Sequence, residues 1–307
     1  ITREAFVPWS NNIQSYTKTY EYDALNQLTR CIDGLGNHWY YQYDKAGNLL
    51  YEECIDSQNQ YTIKHYSYGN STWRDQLTSY NGESIYYDNI GNPTVYRGAN
   101  LTWSEGRSLA SYSKNGQNIS FQYDADGKRT SKTVDETVYN YIYNQGTLVG
   151  ITTNNNLLLE FIVDEKGDYI GLYFDGIPYY YVRNVQGDVV AISDQWGNNI
   201  VGYTYDPWGK VLSVYGEHAW FGELNPIRYR GYFYDSETQL YYLQSRYYDP
   251  ETNRFINADG YVSTGQGELG YNMYAYCNNN AVMYCDPSGC FGLFSLVAGI
   301  ITELTKL

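Results

Sequence analysis

Aromatic and polar residues alternate with a period of two along most of this chain, and the alternation breaks at regular places. The pattern is plainest in Tyr20-Glu-Tyr-Asp-Ala-Leu-Asn-Gln-Leu28 and Tyr41-Gln-Tyr-Asp-Lys-Ala-Gly-Asn-Leu49. It returns in Ile85-Tyr-Tyr-Asp-Asn-Ile-Gly-Asn-Pro93, Phe121-Gln-Tyr-Asp-Ala-Asp-Gly-Lys-Arg129 and Tyr203-Thr-Tyr-Asp-Pro-Trp-Gly-Lys-Val211. Side chains at i and i+2 share one face of a strand, so each copy predicts a strand with one aromatic face. The Asp can accept from backbone N–H groups two residues on, and the Gly three residues after it supplies the positive φ that closes a three-residue hairpin loop with a bulge. Asn26 takes the place of that Gly in the first copy, and Asn tolerates the left-handed region next best. Pro207 sits at the favoured first central position of a type I turn.

The same Asp/Asn-x-x-Gly signature recurs at Asp33–Gly36, Asp164–Gly167, Asn184–Gly187 and Asp194–Gly197. Turns every 10 to 12 residues, where the series is unbroken, predict short antiparallel strands joined by hairpins. Asp23 and Asp44 are 21 residues apart and the step on to Asp88 is 44, about twice that, which marks a repeat architecture. No segment before residue 290 carries a sustained 3.6-residue period with caps. The fold class is therefore all-β. Rings of neighbouring repeats are expected to pair across strands.

Composition agrees. Tyr accounts for 39 of the 307 residues and Gly for 29, with two Met, a mixture suited to pleated surfaces and turns. The net charge of −14 offers phosphates no basic stripe, so no nucleic-acid partner is expected. The loop aspartates lack the alternating acids and closing Glu of a calcium loop, and no metal or cofactor is expected. Cys31, Cys54, Cys277, Cys285 and Cys290 contain no C-x-x-C and read as unbridged thiols or one incidental pair. The chain opens at Ile1 and reads as a piece of a longer protein, which leaves export undecided.

Between Pro226 and Gly289 the pattern tightens. This block holds Tyr234-Asp-Ser-Glu-Thr-Gln-Leu-Tyr-Tyr242, Arg246-Tyr-Tyr-Asp-Pro-Glu-Thr-Asn-Arg-Phe255 and a closing Asp286-Pro-Ser-Gly289. The upstream copies resemble YD repeats, and residues 226–289 resemble the RHS repeat-associated core domain. The resemblance covers roughly residues 16–290 and divides the chain into a repeat segment (1–225), the core domain (226–289) and the start of a variable C-terminal region (290–307).

The resemblance implies a β-sheet strip spiralling into a hollow shell, with the core domain curling inward to plug one end. Such shells occur in bacterial polymorphic toxins and in the C component of insecticidal toxin complexes, where they enclose a variable C-terminal toxic region. More distant teneurins use a similar shell in adhesion. The expected partners are the chain's own toxic region and N-terminal domains that close or deliver the shell. The expected location is secreted or at the bacterial cell surface.

In several relatives the core domain cuts the chain behind itself. Peptide hydrolysis needs an activated water and a proton for the leaving amine, and two carboxyls sharing a site can divide those roles. By the resemblance Asp259 and Asp286, 27 residues apart, are the matching pair and Arg246 is the basic residue beside them. Asp-Gly and Asp-Pro are also ordinary turn starters, so a capping role stands beside the catalytic one. This chain has Ala258-Asp259-Gly260 where many relatives have Asp-Pro-x-Gly, and Cys290 where a Leu often precedes the scissile bond. The corresponding bond is Cys290–Phe291, with the bond after Leu293 second. Cys290 raises a thiol mechanism, but His38, His65 and His218 give it no local support.

The uncharged stretch Pro287–Thr302 is 16 residues, short of a membrane span, and 18 residues beyond Gly289 cannot hold a toxic domain. Two functions stay open: an encapsulating shell with single-turnover aspartate-mediated self-cleavage, and a surface adhesion module that binds glycan or cell wall through its tyrosines.

Overall fold

The computed structural model describes residues 1–6, 16–154, 156–261, 268–290 and 293–294. Strands make up 51% of the described residues and helix 6%, as the alternation requires. The chain forms two compact units. The first holds residues 1–97, 251–286 and 290–307, and the second holds residues 98–250 and 287–289.

In the first unit, eight antiparallel strands pair in chain order, from Arg3–Phe6 to Glu83–Ser84, and Tyr86–Tyr87 pairs with Pro93–Tyr96. In the second, every strand from Ala99–Ser104 to Val211–Tyr215 pairs with the next in sequence. Nearest-neighbour pairing without crossovers is what a chain of hairpins must give. The only α-helix among the described residues, Ala219–Leu224, follows the last strand. Its carbonyl end is closed by Arg228, which donates from Nη2 to Gly222 and Glu223 oxygens (3.2 and 3.0 Å) and from Nε to that of Asn225 (3.0 Å).

The loops have the expected chemistry and more. At Asp44 the carboxylate accepts from the N–H groups of Ala46 (2.8 Å) and Asn48 (2.9 Å), while Gly47 lies at φ +77°. Asn48 Nδ2 then returns to the other carboxylate oxygen (2.9 Å). The same reciprocal clasp joins Asp23 with Gln27, Asp33 with Asn37, Asp88 with Asn92 and Asp194 with Asn198. At Asn184 the roles reverse, and its amide donates to Asp188. One further copy, Asp56 with Asn59 at φ +58°, fills the long step between Asp44 and Asp88. Other hairpin ends use tighter turns with two successive positive φ values, such as Asn115-Gly116 and Asp175-Gly176.

Where a Tyr precedes a loop, its hydroxyl explains why the residue is not Phe. The register shifts by one residue just before Tyr22, Tyr43, Tyr123, Tyr143 and Tyr205. The re-aimed hydroxyl donates to a main-chain oxygen at the start of the strand after the preceding loop. Tyr43 reaches Leu28 (2.7 Å), Tyr123 reaches Leu109 (3.0 Å), Tyr143 reaches Arg129 (2.9 Å) and Tyr205 reaches Val189 (2.8 Å). Repeats are thus tied through hydroxyls. Cross-strand ring pairs occur at Tyr66–Tyr80 and Phe161–Tyr169 (centroids 5.3 and 5.4 Å). Phe121, Tyr123 and Tyr141 differ from the expected ladders. They pack on Tyr247, Tyr242 and Phe233, because their strand face is covered by residues 226–250.

Candidate functional site

Residues 226–286 bind the repeats through one recurring contact. In the second unit, Tyr241 donates its hydroxyl to the Gly209 carbonyl (2.8 Å) and Tyr242 to that of Gly127 (3.4 Å). In the first unit, Tyr274 donates to Gly91 (3.0 Å), Asn279 Nδ2 to Gly47 (2.7 Å) and Asn280 Nδ2 to Asn26 (2.8 Å). All five acceptors are the left-handed fourth residue of an Asp-x-x-Gly/Asn loop. The loop geometry turns that carbonyl outward, and burying it would cost about 1–3 kcal/mol without a donor. The tyrosines of Leu240-Tyr-Tyr242 and the asparagines of Cys277-Asn-Asn-Asn280 supply those donors. Sequence reasoning assigned them no such role.

A buried charge cluster reinforces this in the second unit. Arg129 binds Asp235 in two-pronged fashion (2.5 and 3.2 Å), and Lys132 Nζ reaches Asp235 (3.0 Å) and Glu237 (2.7 Å). Arg129 and Asp235 are 1% and 0% exposed, so solvent does not screen the pair. The Arg129 guanidinium lies 4.4 Å from the Tyr242 ring centroid, 4.8 Å from Phe233 and 4.9 Å from Tyr141. Burial pushes the Asp235 carboxyl up, but Arg129 and Lys132 together more than reverse this and hold it below the usual carboxylate range. In the first unit Arg254 plays a related part. It donates to the Tyr68 hydroxyl (2.5 Å) and the Asp75 carbonyl (2.6 Å).

The residues expected to cut the chain fall as follows. Asp259 is buried, and its Oδ1 accepts from the Tyr261 N–H (2.9 Å). Asp286 is also buried, and its Oδ1 accepts from the Cys290 N–H (3.0 Å). Both carboxylates therefore do cap turns, as their Asp-Gly and Asp-Pro contexts dictate. Arg246, buried in the second unit, donates from Nε to the Gly289 carbonyl. Ser245 Oγ donates to the Ser288 carbonyl (2.7 Å). Gly289 has φ +73°, and a Cβ there would lie 2.8 Å from the Leu243 carbonyl, so this position requires glycine. Phe291, on the far side of the first-choice bond, lies outside the described residues. The second choice, after Leu293, falls within the short strand Leu293–Phe294 that pairs with Tyr284–Cys285. All five cysteines are thiols. Among the described residues no three His, Cys, Asp or Glu side chains gather as a metal site, and no helix is long and apolar enough to cross a membrane.

Tyr-Asp hairpins in unbroken succession, docked through loop carbonyls onto a C-terminal tyrosine-rich block, define an RHS/YD-repeat shell protein. The Teneurin YD-shell family model matches residues 4–282, and the chain belongs to that family. It is 34% identical over 274 residues to the tRNA nuclease WapA of Bacillus subtilis (strain 168), covering 87% of this chain and 12% of that protein. It is 26% identical over 339 residues to double-stranded DNA deaminase toxin A of Burkholderia cenocepacia (strain H111), covering 91% of this chain and 23% of that one. The fold resembles that in the crystal structure of TcdB2-TccC3-Cdc42, with a TM-score of 0.73 at 19% identity over 89% of this chain and 15% of that chain. The chain thus spans about an eighth of the length of WapA and under a quarter of the deaminase toxin.

Proposed function

We propose that this chain is the C-terminal shell segment of a longer secreted or surface-borne bacterial toxin. In this reading the shell encloses a toxic region beyond residue 290, and residues 226–289 act as the core domain that cuts the chain behind itself. The observation that carries the proposal is the treatment of the closing segment. Arg246 grips the Gly289 carbonyl, and the Asp286 carboxylate receives the Cys290 N–H. The backbone leading to Cys290–Phe291 is therefore fixed by two of the three residues assigned to the reaction. One of Asp259 and Asp286 takes a proton from the attacking water, and the other, protonated, gives one to the leaving amine of Phe291. The pair keeps one proton, now on the other Asp, and the two hydrogens of the water are matched by one gained by the amine of Phe291 and one on the new Cys290 carboxyl group. Relatives bearing nuclease and deaminase toxin names support the toxin assignment, and this chain matches only 12% and 23% of their length. N-terminal regions that close or deliver the shell are the further partners. The glycan-binding alternative loses ground because Tyr20, Tyr41, Tyr203 and Tyr205 bury the faces a sugar would stack on.

The test is intact-mass analysis and N-terminal sequencing of the full-length protein. A C-terminal fragment beginning at Phe291 is expected. Asp259→Asn and Asp286→Asn should give a folded, uncut chain, while Cys290→Leu should still be cut because water attacks. Normal processing of both Asp variants, with Cys290→Ser blocked, would transfer the reaction to the thiol.

A further inference from the structure

The sequence contains Asn-Gly twice, at Asn81-Gly82 and Asn115-Gly116, and the two are locally alike. Each is a two-residue hairpin turn with both φ angles positive, +49° and +83° at the first and +52° and +85° at the second. All four residues are exposed, and a Cβ on either glycine would meet no atom within 4 Å. What separates the two turns is the strand alongside.

Tyr66 pairs with Tyr80 and Ser67 with Ser79, which sets His65 opposite Asn81. These two residues clasp each other. Asn81 N–H donates to the His65 carbonyl (2.9 Å), and His65 N–H donates to Asn81 Oδ1 (2.8 Å). The turn at Asp135 (φ +51°) repeats the device. Ile119 pairs with Val134, which sets Asn118 opposite Asp135. Asp135 N–H donates to the Asn118 carbonyl (2.8 Å), and Asn118 N–H to Asp135 Oδ1 (3.0 Å). At Asn115 the neighbouring strand ends too early for this. Asn100 pairs with Ser113, so the residue opposite Asn115 is Gly98, itself in a turn at φ +74°. Among the described residues neither Asn115 nor the Gly116 N–H has a hydrogen-bond partner.

We infer that Asn115-Gly116 is a site of spontaneous self-modification, at which the asparagine converts to aspartate and isoaspartate, while Asn81 is protected. The Gly116 nitrogen attacks Asn115 Cγ and closes a five-membered imide. The bond from Cγ to the side-chain nitrogen breaks, and ammonia leaves carrying the proton from the Gly116 nitrogen. Water then opens the ring at either carbonyl, giving one product or the other. Attack requires the side chain to swing its Cγ over the following nitrogen, which glycine leaves unobstructed. Asn115 is free to do this, whereas Asn81 must first surrender its clasp with His65. Either product adds a negative charge beside Lys114, and isoaspartate also lengthens the main chain by a methylene. The change falls in the hairpin whose second strand, Gln117–Tyr123, carries Phe121 against Tyr247 (6.0 Å).

The test is peptide mapping by mass spectrometry of the full-length protein after incubation at mildly alkaline pH, both folded and in concentrated urea, with isoaspartate identified by electron-transfer fragmentation. In the folded chain Asn115 should be lost at least about tenfold faster than Asn81, since reaction at Asn81 must first break two hydrogen bonds. Isoaspartate should appear at position 115. In urea, where neither side chain is held, the difference between the two sites should vanish. Equal rates in the folded chain, or faster loss at Asn81, would overturn the inference. So would aspartate without isoaspartate at position 115, the mark of direct hydrolysis. A difference that survives in urea would trace it to the flanking residues instead of the clasp, and would overturn it as well.

Discussion

Replacing Asp235 with Asn isolates the contribution of the buried charge cluster, because the side chain keeps its shape and loses only its charge. The carboxylate answers two cations at once, Arg129 at 2.5 and 3.2 Å and Lys132 at 3.0 Å. Glu237 remains for Lys132, but no second carboxylate is described beside Arg129, which is 1% exposed and cannot recover hydration. Removing one partner of a buried pair costs about 3–5 kcal/mol, chiefly as the penalty of the charge left behind. For a cooperative unit of this size that is a fall in melting temperature of about 6–20 °C. The assay is urea and thermal unfolding followed by tryptophan fluorescence, across pH. The Asp235 carboxyl titrates lower in the folded chain than unfolded, so its stabilisation is complete above the unfolded value of about 3.9. It is lost as pH falls through the lower folded value. The gap between the original protein and Asp235→Asn should therefore be widest near neutrality and close below about pH 4. Adding Arg129→Met to Asp235→Asn should recover part of the loss, since the orphaned cation is gone. A cost under about 1 kcal/mol, as for an exposed pair, would refute the reasoning.

Three further outcomes are expected. Asp44→Ala removes the acceptor for Ala46 N–H, Asn48 N–H and Asn48 Nδ2, and should cost about 1–2 kcal/mol in unfolding experiments, as for a lost helix cap. Tyr205→Phe leaves the Val189 carbonyl without its hydroxyl donor, and a loss of about 1–2 kcal/mol in urea unfolding checks the clasp between repeats. Gly289→Ala meets a positive φ and a carbonyl at 2.8 Å, so it should displace the closing segment; the C-terminal fragment should then fail to appear in intact-mass analysis while the melting temperature changes little.

The fold was legible because its determinants are local. An Asp, a left-handed Gly three residues on and an aromatic pair before them define a hairpin end from nine consecutive residues. The fifth loop position was equally visible, since Asn37, Asn48, Asn92 and Asn198 all follow the Gly directly, yet its reciprocal hydrogen bond emerges only when the loop is built. The dipeptides Asn115-Gly116 and Asp175-Gly176 were likewise plain turn signals. Long-range partners could not be read this way. Arg129 and Asp235 lie 106 positions apart, and Asn279 and Gly47 lie 232 apart. Nothing in either local sequence distinguishes these residues from ordinary turn and strand polar groups. The candidate cutting residues were found only through resemblance, because their visible contacts are those of turn caps.

The C-terminal block grips main-chain oxygens, and this has a consequence for how such chains can change. Tyr241, Tyr242, Tyr274, Asn279 and Asn280 ask nothing of the two residues at each loop's centre. In four of the five loops those positions are exposed and unlike one another: Ala24-Leu25, Lys45-Ala46, Asn89-Ile90 and Ala125-Asp126, whereas Pro207-Trp208 is buried and Tyr229 and Tyr248 donate to its main-chain oxygens. A hairpin that drifts, or is copied in from elsewhere, stays acceptable to an unaltered block as long as its fourth residue keeps the left-handed turn. Repeats can therefore diversify on their exposed tips at little risk to assembly, while substitutions in the block register at several hairpins together.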